Sequence, residues 1–201
     1  MRILFPGRKL AALRAGIRRS MSGDGGSQIA EFAISVPLLV VFVVGIFDFG
    51  GAFNVKQRIG SAAQEGAVLA ASQPTRDLDQ ANPGSVQAVL GSVFNYLANQ
   101  RVLANANSGT CTPGSAVATH TPASLAWTYT INGCPDALVI TIDRGKVFNA
   151  QGGSAKVVSS QVSVSYPYRW QFGRVIGLVV TGATYAATTS LAAAAVSQNQ
   201  L

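Results

Sequence analysis

A chain of 201 residues with fifteen Lys and Arg against eight Asp and Glu, 48% of it hydrophobic, is too short for two large domains. Its net charge of +7 would suit a nucleic-acid binder, but residues 1–26 carry +5 of it and the remainder only +2, so no nucleic-acid partner is expected. One His and two Cys give a zinc site too few ligands unless carboxylates supply the rest, and no metal or cofactor is expected.

Residues 1–26 read as a basic cytoplasmic leader. Arg2, Arg8, Lys9, Arg14, Arg18 and Arg19 stand against Asp24. Basic residues before an apolar span resist translocation, which predicts a cytoplasmic N-terminus and an extracytoplasmic, periplasmic C-terminal part. The pair Arg18-Arg19 lacks the surroundings of a twin-arginine signal, and an ordinary secretory signal would need a much shorter apolar region, of roughly 7 to 15 residues.

From Ser27 to Ser72 the pattern predicts one continuous helix. Phe32 to Phe47 contains no charge, with Glu31 at its edge and Asp48 just beyond it. At 1.5 Å per residue the helix would run roughly 70 Å. That exceeds a hydrocarbon core of roughly 30 Å, so the second half must leave the membrane. Pro37 removes one backbone donor and is expected to kink the helix. Past Asp48 the run becomes amphipathic, with Phe49, Ala52, Phe53, Val55, Ile59, Ala62, Ala63, Ala67 and Ala70 on its apolar side. The natural picture is a stalk carrying a head; the alternative is that the projecting half packs against its own domain.

Gln73 to Pro83 reads as a linker, with Asn82-Pro83 positioned to cap the next helix. Val86, Val89, Leu90, Val93 and Leu97 follow helical spacing, which predicts a helix to about Leu103. Asn105 to Pro122 is expected to be a long loop. Strands are predicted at Leu125 to Ile131 and Ala137 to Asp143, joined by an Asn132-Gly133 turn, and at Val158 to Tyr168. Trp170 to Val180 suggests a helical crossover and Thr181 to Leu191 a fourth strand, although Ala192 to Ala195 would equally suit a helix. The fold class is therefore α+β: a long transmembrane and stalk helix over 27–72, then a head over 73–201 with a helix and an antiparallel sheet of about four strands.

The segment GSQIAEF, Gly26 to Phe32, has a Gly followed by a Glu at the fifth position and a Phe at the sixth beyond the Gly26–Ser27 bond. It resembles the type IV prepilin pattern. Phe47 to Ser72 is similar to the stem of TadE-like pseudopilins of tight-adherence pili: Asp48, Phe49 and Gly50 fit an acidic-aromatic-Gly step, and Glu65, Gly66 and Ala67 fit an Arg-Glu-Gly-Ala motif. Gln64 stands where that motif usually has Arg. The resemblance implies cleavage after Gly26 by a prepilin peptidase, a new and methylated N-terminus at Ser27, and an assembly or recognition role for Glu31 and Phe32. It also implies an inner-membrane location, with pilins, pseudopilins, inner-membrane assembly proteins and membrane lipid as partners.

Catalytic motifs are lacking, and no enzyme is expected. His120 sits in a Thr-Pro loop and reads as a surface residue. Gly145-Lys146 lacks the flanking residues of a phosphate loop, and Asp136 and Asp143 read as turn residues. Asp48 either pairs with Lys56 or Arg58 of a neighbouring stem or marks the outer membrane interface. Cys111 and Cys134 both fall in the part placed outside the cytoplasm, where a disulfide persists; two separate buried thiols are the alternative. Two functions follow: a minor pseudopilin or pilus-assembly protein, or a single-pass membrane-anchored envelope protein with a binding or enzymatic head and no filament role.

Overall fold

The computed structural model describes residues 24–121, 124–149, 156–171 and 188–200. Most of the expected leader, the core of the crossover after Gln171, and the start of the expected fourth strand lie outside these residues. Helix α1 spans Asp24–Ser72 and α2 spans Gly84–Asn99. A 3₁₀ turn at Pro113–Ser115 leads into five strands: β1 Val117–His120, β2 Ala126–Cys134, β3 Asp136–Asn149, β4 Lys156–Arg169 and β5 Thr188–Gln198. They form one sheet in the order β1-β2-β3-β4-β5, with every neighbouring pair antiparallel.

Both helices lie on the same face of the sheet. Trp127, Tyr129 and Ile131 of β2, Leu138, Ile140 and Ile142 of β3, and Val162, Val164 and Tyr166 of β4 point into one core, as their period-2 pattern requires. From α2 come Val86, Val89, Leu90, Val93, Phe94 and Leu97. The second half of α1 completes the core with Ala52, Ile59, Ala62, Ala63, Ala67, Ala70 and Ala71. The projecting half of the stem is thus built into the head and does not hold it at a distance. Two residues expected on that apolar side, Phe49 and Phe53, instead remain 61% and 64% exposed.

Strand β1, inside the stretch expected to be a loop, raises the strand count to five among the described residues. None of its four residues is buried, so no hydrophobic alternation announces it; backbone pairing of Val117 to His120 with Thr130 to Trp127 makes it a strand. The β2–β3 turn is centred on Pro135, and the expected turn residues Asn132 and Gly133 form a bulge within β2. Gly133 has φ +84°, and a Cβ there would collide with Thr110, which follows from the approach of the 105–116 loop to the end of β2.

Strand β5, described from Thr188, includes Ala192 to Ala195, which pair with Ser165 to Val162. Cross-strand pairing overrides alanine's helix preference here, and the small side chains let β5 lie close against α1. Helix α2 ends at Asn99, with the left-handed Arg101 (φ 55°) breaking the run before the buried Leu103. At its N-terminus Pro83 takes the N-cap position, one residue before the helix instead of at its first turn, and the side-chain hydrogen bonds to Ser85 come from Asp77. Asp77 Oδ2 accepts from the Ser85 backbone N–H at 2.8 Å, and Oδ1 accepts from the Ser85 hydroxyl at 2.8 Å.

Candidate functional site

The functional candidates are strung along α1. Its most apolar eighteen-residue window has a mean hydropathy of 2.5, and none of it is buried against the protein. Ile29, Phe32, Ile34, Leu38, Leu39, Phe42, Ile46 and Phe47 are all at least 60% exposed. An apolar surface of this extent is unstable in water, so this half of the helix has the length and composition of a single-pass membrane anchor.

At the near end of the span, Gly26 is exposed and already helical, and a Cβ added there meets nothing within 4 Å. Glu31 lies one turn beyond Ser27, whose hydroxyl donates to Glu31 Oε1 at 3.4 Å. The carboxylate therefore reaches back one turn to residue 27. Glu31 is exposed, as is its neighbour Phe32. The Glu31 carbonyl also accepts from Ser35 Oγ at 2.8 Å.

At the far end, Asp48 is only 6% exposed, and the end of β4 reaches it. The Tyr168 hydroxyl lies 3.0 Å from Asp48 Oδ1 and 3.2 Å from its carbonyl oxygen. Burial, and then the hydrogen bond to Asp48 and its charge, push the Tyr168 phenol up to about 12. Gly51 makes this approach feasible, since a Cβ there would stand 2.7 Å from the Tyr168 hydroxyl. Lys56 Nζ donates to the Ala192 carbonyl at 2.7 Å, and Arg58 Nη1 donates to the Gln100 carbonyl at 2.5 Å. All three residues considered for stem pairing thus bind the chain's own head: Asp48 at β4, Lys56 at β5 and Arg58 at the end of α2.

The Glu65-Gly66-Ala67 motif has a packing explanation. Ala67 is buried, and a Cβ on Gly66 would stand 2.5 Å from Val93 Cγ2 and 3.2 Å from Val162 Cγ1. At Gly66 helix α1 packs closely against both α2 and β4. Glu65 accepts from Ser92 Oγ at 3.3 Å across the same helix pair.

A residue that sequence reasoning missed holds the top of the head. Arg144 continues the inward row of β3 and is only 2% exposed. Its Nε donates to Ser160 Oγ at 3.2 Å and its Nη2 to the Gln73 carbonyl at 2.8 Å, joining β3, β4 and the end of α1. Burial lowers its pKa, against the opposing charge of Asp77. The signal was available: Arg144 lies two residues after Ile142 on the buried face.

Cys111 and Cys134 are joined in a disulfide that ties the 105–116 loop to the end of β2. Tyr166 donates its hydroxyl to the Cys134 carbonyl beside it. His120 stacks on Trp127, with ring centroids 4.6 Å apart, and its Nδ1 lies 3.1 Å from the Ala126 carbonyl. Asp136 forms a two-pronged pair with Arg169, and Asp143 accepts from the Gly145 N–H. Structural partners thus account for each of these candidates. Among the described residues no group of three His, Cys, Asp or Glu is placed to hold a metal ion.

The family model described as TadE-like protein matches residues 26–68, from Gly26 to the close-packed turn after Gly66. No curated protein and no solved structure matches the chain.

Proposed function

We propose that this chain, a TadE-like protein by its stem, is a minor pseudopilin or pilus-assembly protein of a tight-adherence, type IVb-like pilus or related secretion system, cut by a prepilin peptidase after Gly26. The TadE-like match ties it to tight-adherence pilus assembly; the processing, the inner-membrane location with the N-terminus cytoplasmic, and the entry into a fibre are the proposal. The observation that carries it is the coincidence at one point of the chain: the family match begins at Gly26, and Glu31 reaches residue 27 from one turn away.

Cleavage at that bond would leave a positive amine at Ser27 and a carboxylate at Glu31 on the border of the apolar run. An unpaired carboxylate there is costly, so Glu31 favours a site where the terminus of its own or an adjacent stem faces it. Phe32 would sit beside that contact. Prepilin peptidase, other pilins and inner-membrane assembly proteins are the partners this reading requires. The Cys111–Cys134 disulfide suits an oxidising extracytoplasmic compartment.

Mass spectrometry of the protein from cells with an active prepilin peptidase should find a chain beginning at Ser27. Gly26→Ala should abolish that product. Because the added methyl has room, the loss would report recognition and not misfolding. Glu31→Gln should abolish fibre formation. An intact leader in those cells, or normal fibres from Glu31→Gln, would overturn the assignment in favour of an envelope protein with no filament role.

A further inference from the structure

The apolar run ends at Phe47, and the lower edge of the head meets α1 immediately beyond it. Tyr168 binds Asp48 there, and Trp170 packs edge-on against Phe49 with ring centroids 5.1 Å apart. Trp170 also packs edge-on against Tyr168 at 5.1 Å, and its indole N–H donates to Thr189 Oγ1 at 2.7 Å. This aromatic group is continuous with an exposed stripe on the stem. Phe42, Ile46, Phe49 and Phe53 recur at helical spacing and are 64%, 70%, 61% and 64% exposed. The apolar stripe therefore does not stop where the charge-free run stops.

Level decides what covers it. Measured from Glu31, on the border of the apolar run, a hydrocarbon core of about 30 Å takes roughly 20 residues at 1.5 Å each and ends near Gly51, so Phe49 and Phe53 fall at its boundary with the headgroup layer. Aromatic rings are favoured at that depth, and with the Tyr168 hydroxyl and the Trp170 N–H already bonded to Asp48 and Thr189 it is their ring surfaces that meet it, whereas exposed Phe49 and Phe53 have no favourable setting in water. A second stem would also cover the stripe, but it would not account for a Trp and a Tyr from the head converging at the same level.

We propose that the base of the head, formed by Phe49, Phe53, Tyr168 and Trp170, docks into the lipid headgroup layer of the leaflet on the head's side. The head then rests on the bilayer at a fixed depth and tilt. The inference relies on the stem being a membrane anchor, and it adds the head itself as a lipid-binding surface. Extraction of the subunit into a fibre must break this contact as well as withdraw the stem.

The chain has two tryptophans, and the other, Trp127, is buried near the opposite end of the head, its indole N–H bonded to the Ala81 carbonyl. The full chain is reconstituted into phosphatidylcholine–phosphatidylglycerol vesicles containing lipid brominated close to the headgroups or at the chain ends. The Trp170 signal is the difference between wild type and Trp170→Phe, and unchanged Trp127 emission in the variant reports an intact fold. Headgroup-proximal bromine should reduce Trp170 emission by about twofold or more and chain-end bromine much less, as expected for an interfacial ring. A Val40→Trp probe in the Trp170→Phe background tests the anchor separately. If that probe is quenched and Trp170 is not, the docking surface is refuted while the anchor stands. If neither is quenched, both fall. Trp170 insensitive to bromine and also shielded from aqueous acrylamide would refute lipid docking and give the face to a neighbouring protein chain.

Discussion

Replacing Gly66 with alanine puts a methyl group 2.5 Å from Val93 Cγ2 and 3.2 Å from Val162 Cγ1. Both neighbours are β-branched and at most 1% exposed, so neither can swing aside cheaply. Overpacking of this kind costs about 1 to 3 kcal/mol, and two stiff neighbours put this case near about 3. Helix propensity opposes it, since alanine is favoured over glycine by about 1 kcal/mol in a helix interior. The net loss is about 2 kcal/mol, a fall in Tm of about 4 to 8 °C for a chain of this size. Gly60, on the same helix, provides the control. A Cβ there meets nothing within 4 Å, so Gly60→Ala should gain about 1 kcal/mol and raise Tm by about 2 to 4 °C. Near-UV circular dichroism of the full chain in detergent follows the packing of Trp127 in the head, whereas far-UV signal would be dominated by the stem. If Gly66→Ala raises Tm as Gly60→Ala does, the close approach of α1, α2 and β4 is not what the glycine of the Glu-Gly-Ala motif serves.

Tyr168, with its phenol pushed up to about 12, stays protonated in the folded chain while an unfolded chain ionises near 10. Its contribution is therefore complete below pH 10 and is lost as pH rises toward 12; alkaline unfolding curves of Tyr168→Phe should decline less over that window than those of wild type. Asp77 is held below its ordinary 3.8 chiefly by the Ser85 backbone N–H, so its contribution is present above 3.8 and is lost as pH falls through the lower folded value. Asp77→Ala should lower Tm at neutral pH, remove that acid dependence and speed amide exchange in the first turn of α2. Reducing the Cys111–Cys134 bond, which closes a 23-residue separation, should cost about 3 kcal/mol on the chain-entropy model, read as a drop in Tm of about 6 to 12 °C on adding dithiothreitol.

Local chemistry made the stem and most of the strands legible without coordinates. A charge-free run from Phe32 to Phe47 can only be a membrane-length helix or a buried one, and the strict alternation of Leu138, Ile140 and Ile142 fixes which face of β3 is wet. Strand β1 escaped because none of its side chains is buried, so backbone pairing alone defines it. The Asn132-Gly133 pair misled because a left-handed glycine serves a bulge as well as a turn, and the nearby loop of Thr110 and Cys111 decided between them.

Sequence by itself determined where the chain is apolar, where its charge lies and where the TadE-like segment begins, because each is a property of neighbours along the chain. Tertiary structure alone decided that the stem's second half is the spine of the head's core, that Asp48, Lys56 and Arg58 are engaged by their own head, and that Trp170 reaches the edge of the span. Those contacts join residues up to 136 positions apart, and such pairings depend on how the sheet folds back along the helix, which no local pattern encodes.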